Sequence, residues 1–112
     1  MRLKTLMLCL YIFCCSSFAQ PSPPVKMFGR IDCGEWLNPR SDIQGLTNKY
    51  WLMGYLTGIN TMLMSPALDI GNVLGRLNSS QQAFAWMDKY CRENPLSTPD
   101  LGGLTLMNEL RK

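Results

Sequence analysis

The stretch TNKYWLMGYLTGINTMLM, residues 47–64, decides the fold of this chain. Its apolar side chains recur at helical spacing and form one broad face. The members of that face are Leu52, Leu56, Ile59 and Leu63, widened by Trp51, Tyr55 and Met62. A helix this apolar is predicted to be central and mostly buried.

The absence of charge from Tyr50 through Leu68 raises a second interpretation, a membrane-spanning helix. Asn60, three hydroxyl residues and the helix-ending Pro66 oppose it. No cluster of basic residues stands at either end to fix an orientation in a bilayer. We therefore predict a buried core helix and no membrane span in the mature chain.

Small and polar residues of this helix carry the functional expectations. Gly54 and Gly58 form a small-x-x-x-small pair, and each glycine costs about 1 kcal/mol of helix propensity. Close packing of a neighbouring helix in the same domain would compensate, and a groove or self-association face is the alternative. Adaptable methionine and polar positions near the edge of the helix are candidate partner-facing residues. These are Met53, Met64 and Asn60.

Capping signals predict the other helices. Ser41 or Asp42 can begin the central helix, and SSQQ (79–82) is a capping box for a helix that ends near Glu93. Thr98 followed by Pro99 begins a last helix, in which Gly103 would admit the backbone of a neighbour. Residues 31–37 could form one or two helical turns, and a short turn is also expected within 72–77.

No segment alternates with period two, so the chain is predicted to be all-α, a compact bundle of three main helices and one or two short ones. Asp88 and Arg92 are expected to pair on the wet side of the third helix. Large aromatic residues are predicted to anchor the core. They are Trp36, Trp51, Tyr55, Trp86 and Tyr90.

The first 19 residues have the pattern of a secretory signal peptide. Arg2 and Lys4 precede an apolar run, and small residues stand before a cleavage point after Ala19. An uncleaved anchor, or a lipoprotein that uses Cys14 or Cys15, are the alternatives. Residues 20–27 are expected to form a proline-rich tether and 28–112 a single helical domain. The mature protein is then periplasmic or secreted.

Cysteine usage fits export. Three of the five cysteines belong to the signal, which leaves Cys33 and Cys91. Two cysteines in an exported chain most simply form one disulfide. Closing a loop of 58 residues would stabilise the fold by about 4 kcal/mol. A redox or nucleophilic thiol is the alternative, although the chain has neither a C-x-x-C pair nor a histidine.

Composition argues against most chemistries. A chain without histidine lacks the usual general base and the commonest metal ligand. Its carboxylates are scattered, so we expect no catalytic residues, no metal and no cofactor. After signal removal nine basic residues face eight acidic ones, and they form no basic stripe for nucleic acid. The sequence therefore favours a protein partner, with a homodimer left open.

Two segments resemble a known family. YWLMGYLTG (50–58) and YCRENPL (90–96), before a closing apolar helix, resemble the G-Y-x-x-G and Y-[LC]-x-x-N-P motifs of the Rap/Tai type VI immunity family. That resemblance covers residues 49–110 and implies a small, helical, disulfide-bonded periplasmic protein that blocks a cell-wall-degrading toxin.

A weaker similarity is to HdeA-type acid chaperones. CGEWL (33–37) is similar to their C-E-x-F-L opening. It would imply a chaperone that exposes apolar dimer surface in acid. A small component of a secretion or conjugation apparatus is a third expectation.

Overall fold

The computed structural model describes residues 27–112, and it is helical as predicted. The long helices are α2 (Asp42–Leu63), α3 (Ser80–Glu93) and α4 (Pro99–Arg111). A short helix, α1 (Cys33–Leu37), precedes them, and a 3-10 turn (Leu74–Arg76) links α2 to α3. No strand occurs within residues 27–112. The predicted signal peptide and most of the predicted tether lie outside the described residues.

Local hydrogen bonds explain where the first two helices begin. Asp32 Oδ1 accepts the backbone N–H of Glu35 (2.7 Å), which starts α1. Ser41 Oγ accepts the N–H of Gln44 (3.1 Å). The central helix therefore begins well before its apolar stretch.

The capping box predicted for α3 forms differently. Ser79 is the N-cap residue, but its side chain makes no capping hydrogen bond. Gln82 reaches past it and accepts the backbone N–H of Asn78 (2.7 Å). The N–H of Asn78, just before the N-cap, is thus satisfied by Gln82, and the helix still begins at Ser80.

The predicted disulfide joins α1 to α3 inside the core. Cys33 and Cys91 are bonded and fully buried. Around them lies one apolar cluster that draws on every long helix. Its other members are Trp36, Leu52, Leu56, Leu63, Val73, Ala83, Phe84, Met87, Leu106 and Met107.

Asp88 differs from its prediction. It lies on the side of α3 that faces α1, where its Oδ1 accepts the indole N–H of Trp36 (2.9 Å). The expected pair with Arg92 is replaced by this contact, because a half-buried carboxylate beside an indole donor gains more from that hydrogen bond than from an exposed ion pair. The exposed i,i+4 pair on α3 is instead Lys89 with Glu93, at 4.0 Å.

The prediction that α2 is mostly buried is wrong. Leu52, Leu56 and Leu63 face the core, while Ile43 and Tyr50 on the opposite side are 79% and 61% exposed. α4 packs directly on the core-facing side of α2, and side chains of α3 complete the apolar cluster on that same side. Because α2 has apolar residues on all sides, its sequence does not show which side the other helices cover.

Candidate functional site

The five aromatic residues predicted as core anchors divide into one buried residue and two surface stacks. Trp36 is buried in the core as expected. Trp51 and Tyr55 stack in parallel with ring centroids 5.2 Å apart, and Trp86 and Tyr90 do so at 5.4 Å. These four rings are half-buried, so each pair covers the core with one face and reaches solvent with the other.

Two glycines of α4 allow its neighbours to approach. A Cβ on Gly103 would lie 2.9 Å from Tyr55 Cε1, so α2 and α4 touch at this point through a side chain of α2, and not through the neighbour's backbone as the sequence predicted. Gly102 is equally tight, and the sequence analysis missed it. A Cβ there would lie 2.7 Å from both Met87 Sδ and Tyr90 Cδ1.

Gly54 and Gly58 do not pack closely against any other part of residues 27–112. A Cβ at either position would meet no atom within 4 Å. The prediction of a neighbouring helix at this pair is therefore wrong, because both glycines lie on the side of α2 that α3 and α4 leave uncovered. The alternative, a groove or self-association face, remains a prediction.

We call the uncovered side of α2 the outer face. Its residues recur at intervals of three, four and seven, which aligns them along one side of a helix. They are Ile43, Tyr50, Gly54, Gly58 and Thr61. None is charged, and Lys49, the nearest basic residue of α2, lies 5.6 Å from the centroid of the Phe84 ring, on the covered side. The outer face is thus an exposed, uncharged strip.

A concave apolar site lies on the flank of α2, and we call it the Met53 crevice. Its volume is about 270 Å³, and it opens between α2, the 3-10 turn and the start of α3. Its lining is Met53, Leu56, Thr57, Leu74, Leu77, Asn78, Ser79, Ser80 and Ala83. The floor is apolar and several hydroxyl and amide groups stand around it. Met53, predicted to face a partner, is half-buried here and packs against the core cluster.

Asn60 holds the wall of this crevice in place. Its Nδ2 donates to Asn72 Oδ1 (2.9 Å) and its Oδ1 accepts the backbone N–H of Leu74 (2.9 Å). Asn60 was predicted to face a partner, but the structure differs. Its amide nitrogen and its amide oxygen are both hydrogen-bonded within the chain, where they hold the 3-10 turn that begins at Leu74 and is followed by Leu77.

Met64, the third predicted partner-facing residue, stands at the end of α2. It is 52% exposed, and its Sδ lies 3.5 Å from Asn60 Nδ2. It does not line the crevice. The three predicted residues are thus close in the fold but differ in role. Met53 lines the crevice, Asn60 hydrogen-bonds to its wall, and Met64 is exposed outside it.

A buried carboxylate lies in the first turn of α4. Asp100 is 3% exposed and forms an ion pair with Arg30, whose Nε is 3.2 Å from Oδ1. Burial, and secondarily the charge of Asp100, raises the pKa of the Tyr55 phenol above its ordinary value. At neutral pH the Tyr55 phenol therefore keeps its proton.

The described residues offer few groups for metal or membrane binding. Within 27–112, no three His, Cys, Asp or Glu residues converge in a way that could hold a metal ion. In the same part of the chain, the helices are too short or too polar to cross a bilayer. What the surface does offer is apolar contact area, at the outer face and at the Met53 crevice.

Comparison with protein-family models, with curated proteins and with solved structures finds no match to this chain.

Proposed function

We propose that this chain is an exported, non-enzymatic binding protein of the immunity type, which blocks a cell-wall-degrading effector in the periplasm. The observation that carries the proposal is the Met53 crevice. The resemblance of residues 50–58 and 90–96 to Rap/Tai motifs supports the kind of partner.

The size of the crevice favours a side chain of a protein over a small-molecule ligand. Drug-sized ligands and cofactors occupy about 300 to 1,000 Å³ and are mostly enclosed. The crevice has about 270 Å³ and is open on one side. It would suit one or two apolar side chains of a partner. Protein interfaces place such anchors in preformed pockets at their centre.

The chemistry around the crevice fits the same occupant. Met53 and Leu77 supply adaptable apolar contact, and methionine is favoured at interaction surfaces. Thr57 and Asn78 place polar groups at the crevice, where a partner backbone could find hydrogen bonds. An apolar centre with polar groups beside it is typical of protein–protein recognition.

The crevice is also prepared in advance. The two hydrogen bonds of Asn60 fix the 3-10 turn against α2 without a partner present. A wall that is already ordered loses little conformational entropy when a partner binds. This favours tight binding, as an inhibitor of a toxin requires.

Export is consistent with the covalent structure. A buried disulfide between Cys33 and Cys91 suits an oxidising compartment. The signal-like sequence of residues 1–19 points to the same destination.

The test begins with the gene neighbourhood, and an amidase or muramidase encoded there is purified and mixed with the mature chain. We expect a one-to-one complex by isothermal titration calorimetry, and loss of hydrolysis of purified peptidoglycan at equimolar protein. Met53→Glu should weaken binding about 30-fold or more, the effect of losing a central anchor. Met64→Glu is the matched control, since Met64 is exposed and lies outside the crevice.

Two results would contradict the proposal. One is hydrolysis that continues unchanged at a tenfold excess of the protein. The other is equal binding by the wild type and the Met53 variant, which would move the contact away from the crevice.

A further inference from the structure

A small cleft between the second half of α3 and the facing side of α4 combines aromatic rings with carboxylates, and we call it the Trp86 cleft. Its volume is about 330 Å³. The stacked rings of Trp86 and Tyr90 are half-buried and form its floor, whereas the other lining residues are exposed. Those exposed residues are Lys89, Glu93, Asn94, Thr105 and Glu109.

We propose that the Trp86 cleft binds an arginine side chain of a protein partner. The guanidinium lies against the aromatic floor and donates hydrogen bonds to the carboxylates of Glu93 and Glu109. This proposal does not rest on the proposed function, because the Trp86 cleft and the Met53 crevice have separate linings.

The charge of the cleft favours a cation. Glu93 lies on α3 and Glu109 on α4, so a carboxylate borders the cleft on each side. Lys89 is 4.0 Å from Glu93 and offsets only one of them. In addition, α3 ends at Glu93, and the carbonyl end of a helix carries partial negative charge. The lining therefore keeps an excess of negative charge.

The hydrogen bonds already formed in the cleft leave acceptors for a ligand. Glu109 Oε2 accepts the indole N–H of Trp86 (3.0 Å), which fixes the carboxylate and leaves Oε1 available. Thr105 Oγ1 donates its one proton to a backbone carbonyl of α4 (2.9 Å), so the oxygen can only accept. A guanidinium has five N–H donors and no acceptor, and it complements such a set better than a sugar hydroxyl, which also needs donors.

The aromatic floor favours a flat cation. The ring centroids of Trp86 and Tyr90 are 5.4 Å apart in nearly parallel planes, so the stack is offset and part of each inner ring face stays uncovered. Guanidinium stacks on aromatic faces and bonds carboxylates through two parallel N–H groups, whereas the lysine ammonium is compact and strongly hydrated. Tyr90 is also held through its hydroxyl at Ser97 (2.8 Å), so the floor is ordered before a ligand arrives.

The cleft is open and small, which limits the strength of a single contact. A cation–π contact at an exposed site, together with charge-assisted hydrogen bonds, corresponds to a dissociation constant on the order of 1 to 30 mM for an isolated arginine analogue. In a protein interface the same arginine would be one anchor among several, and arginine is enriched among such anchors.

Two-dimensional NMR of the mature chain tests the site with N-acetyl-L-arginine amide as the probe. The indole N–H of Trp86 is hydrogen-bonded within the cleft, so its cross-peak should move as the probe is added, while those of Trp36 and Trp51 stay in place. A Trp86→Phe spectrum assigns the peak. N-acetyl-L-citrulline amide is the matched probe: it has the same shape without the charge, and it should bind about tenfold more weakly or less.

Glu109→Gln tests the carboxylate without removing the partner of the indole, because the glutamine carbonyl can still accept the Trp86 N–H. This variant should weaken binding of the arginine probe about fivefold, as a charge-assisted hydrogen bond becomes a neutral one. Glu93→Gln should act in the same direction. Asp69→Asn is the matched control, since it removes an exposed carboxylate outside the cleft and should leave the affinity unchanged. The remaining cross-peaks of each spectrum report whether the variant is folded.

The proposal would be overturned by a Trp86 cross-peak that does not move at about 100 mM arginine probe, well above the expected dissociation constant. Equal affinity for the citrulline amide or for N-acetyl-L-lysine amide would also overturn it, and so would tighter binding of N-acetylglucosamine. Met53→Glu separates this proposal from the proposed function. It should abolish effector binding and leave the arginine titration unchanged, so either proposal can fail without the other.

Discussion

The same change, glycine to alanine, should have opposite effects at Gly102 and Gly54. Alanine in place of glycine inside a helix gains about 1 kcal/mol. At Gly54 the added methyl meets nothing within 4 Å, so the whole gain remains and the variant is more stable. This corresponds to a rise in Tm of about 4 to 8 °C for a domain of this size.

At Gly102 the added methyl would overlap two packed side chains. It would lie 2.7 Å from Met87 Sδ, in a side chain with no exposed surface, and 2.7 Å from the Tyr90 ring. Tyr90 cannot easily yield, because it stacks on Trp86 and its hydroxyl bonds to Ser97 (2.8 Å). Overpacking costs about 1 to 3 kcal/mol, so we expect a net loss of up to about 2 kcal/mol after the helix gain of about 1 kcal/mol.

Urea denaturation with the disulfide intact measures both variants. The protein is kept at about 2 μM so that self-association does not affect the midpoints. The midpoints should move in opposite directions with unchanged m-values, which shows that stability and not compactness has changed. Equal midpoints for the two variants would refute the reasoning, since they would mean that the core yields at Gly102 or that the space at Gly54 is occupied.

Three further effects follow from single interactions. Replacing Cys33 and Cys91 with alanine should lower the free energy of unfolding by about 4 kcal/mol, seen as a lower urea midpoint, whereas added reductant should leave the alanine variant unaffected. Trp36→Phe removes the donor to Asp88 and should cost about 1 to 3 kcal/mol; if its urea midpoint matches the wild type, the indole hydrogen bond is not stabilising. The raised pKa of Tyr55 means that the folded state holds the phenol proton more tightly than the unfolded chain, whose tyrosine pKa is about 10. That contribution is present below pH 10 and is lost as the pH rises above it, so Tyr55→Phe should flatten the alkaline fall in stability measured by urea titration from pH 9 to 11.

The ends of the helices could be predicted because their signals are local. The Ser41 side chain caps the start of α2, and Pro99 stands at the start of α4 as predicted, although the Thr98 side chain makes no capping hydrogen bond. The disulfide was predictable for a similar reason, since an exported chain with two remaining cysteines leaves a single pairing. In these cases the physical cause lies within a few residues, or in simple counting.

The environment of individual side chains could not be predicted in this way. Asp88 has the i,i+4 spacing of an exposed ion pair with Arg92, but its partner is an indole 52 residues earlier in the chain. The sequence pattern places Asn60 on the polar edge of α2, but the side chain hydrogen-bonds to Asn72 and Leu74 at the 3-10 turn, which sequence patterns predict poorly. Both residues were placed by tertiary contacts, and a single sequence carries no direct signal for those.

The sequence also could not decide which side of α2 is covered, and this uncertainty bears on function. Burying a large apolar side chain stabilises the fold by about 1.5 to 3 kcal/mol. The rest of the chain therefore covers whichever side of α2 gives the best packing. The glycines show the outcome. Gly103 receives a neighbour and Gly54 does not, although both interrupt apolar helices.

It follows that replacements on the two sides of α2 have different consequences for folding. Ile43, Tyr50 and Met62 already lie largely in solvent, so polar replacements there remove little buried surface. Leu56 is 3% exposed and both lines the crevice and fills the core, so its replacement would damage folding and partner binding together. A loss of binding in a Leu56 variant would therefore be ambiguous, whereas Met53, half-buried at the edge of the crevice, separates an effect on binding from an effect on folding.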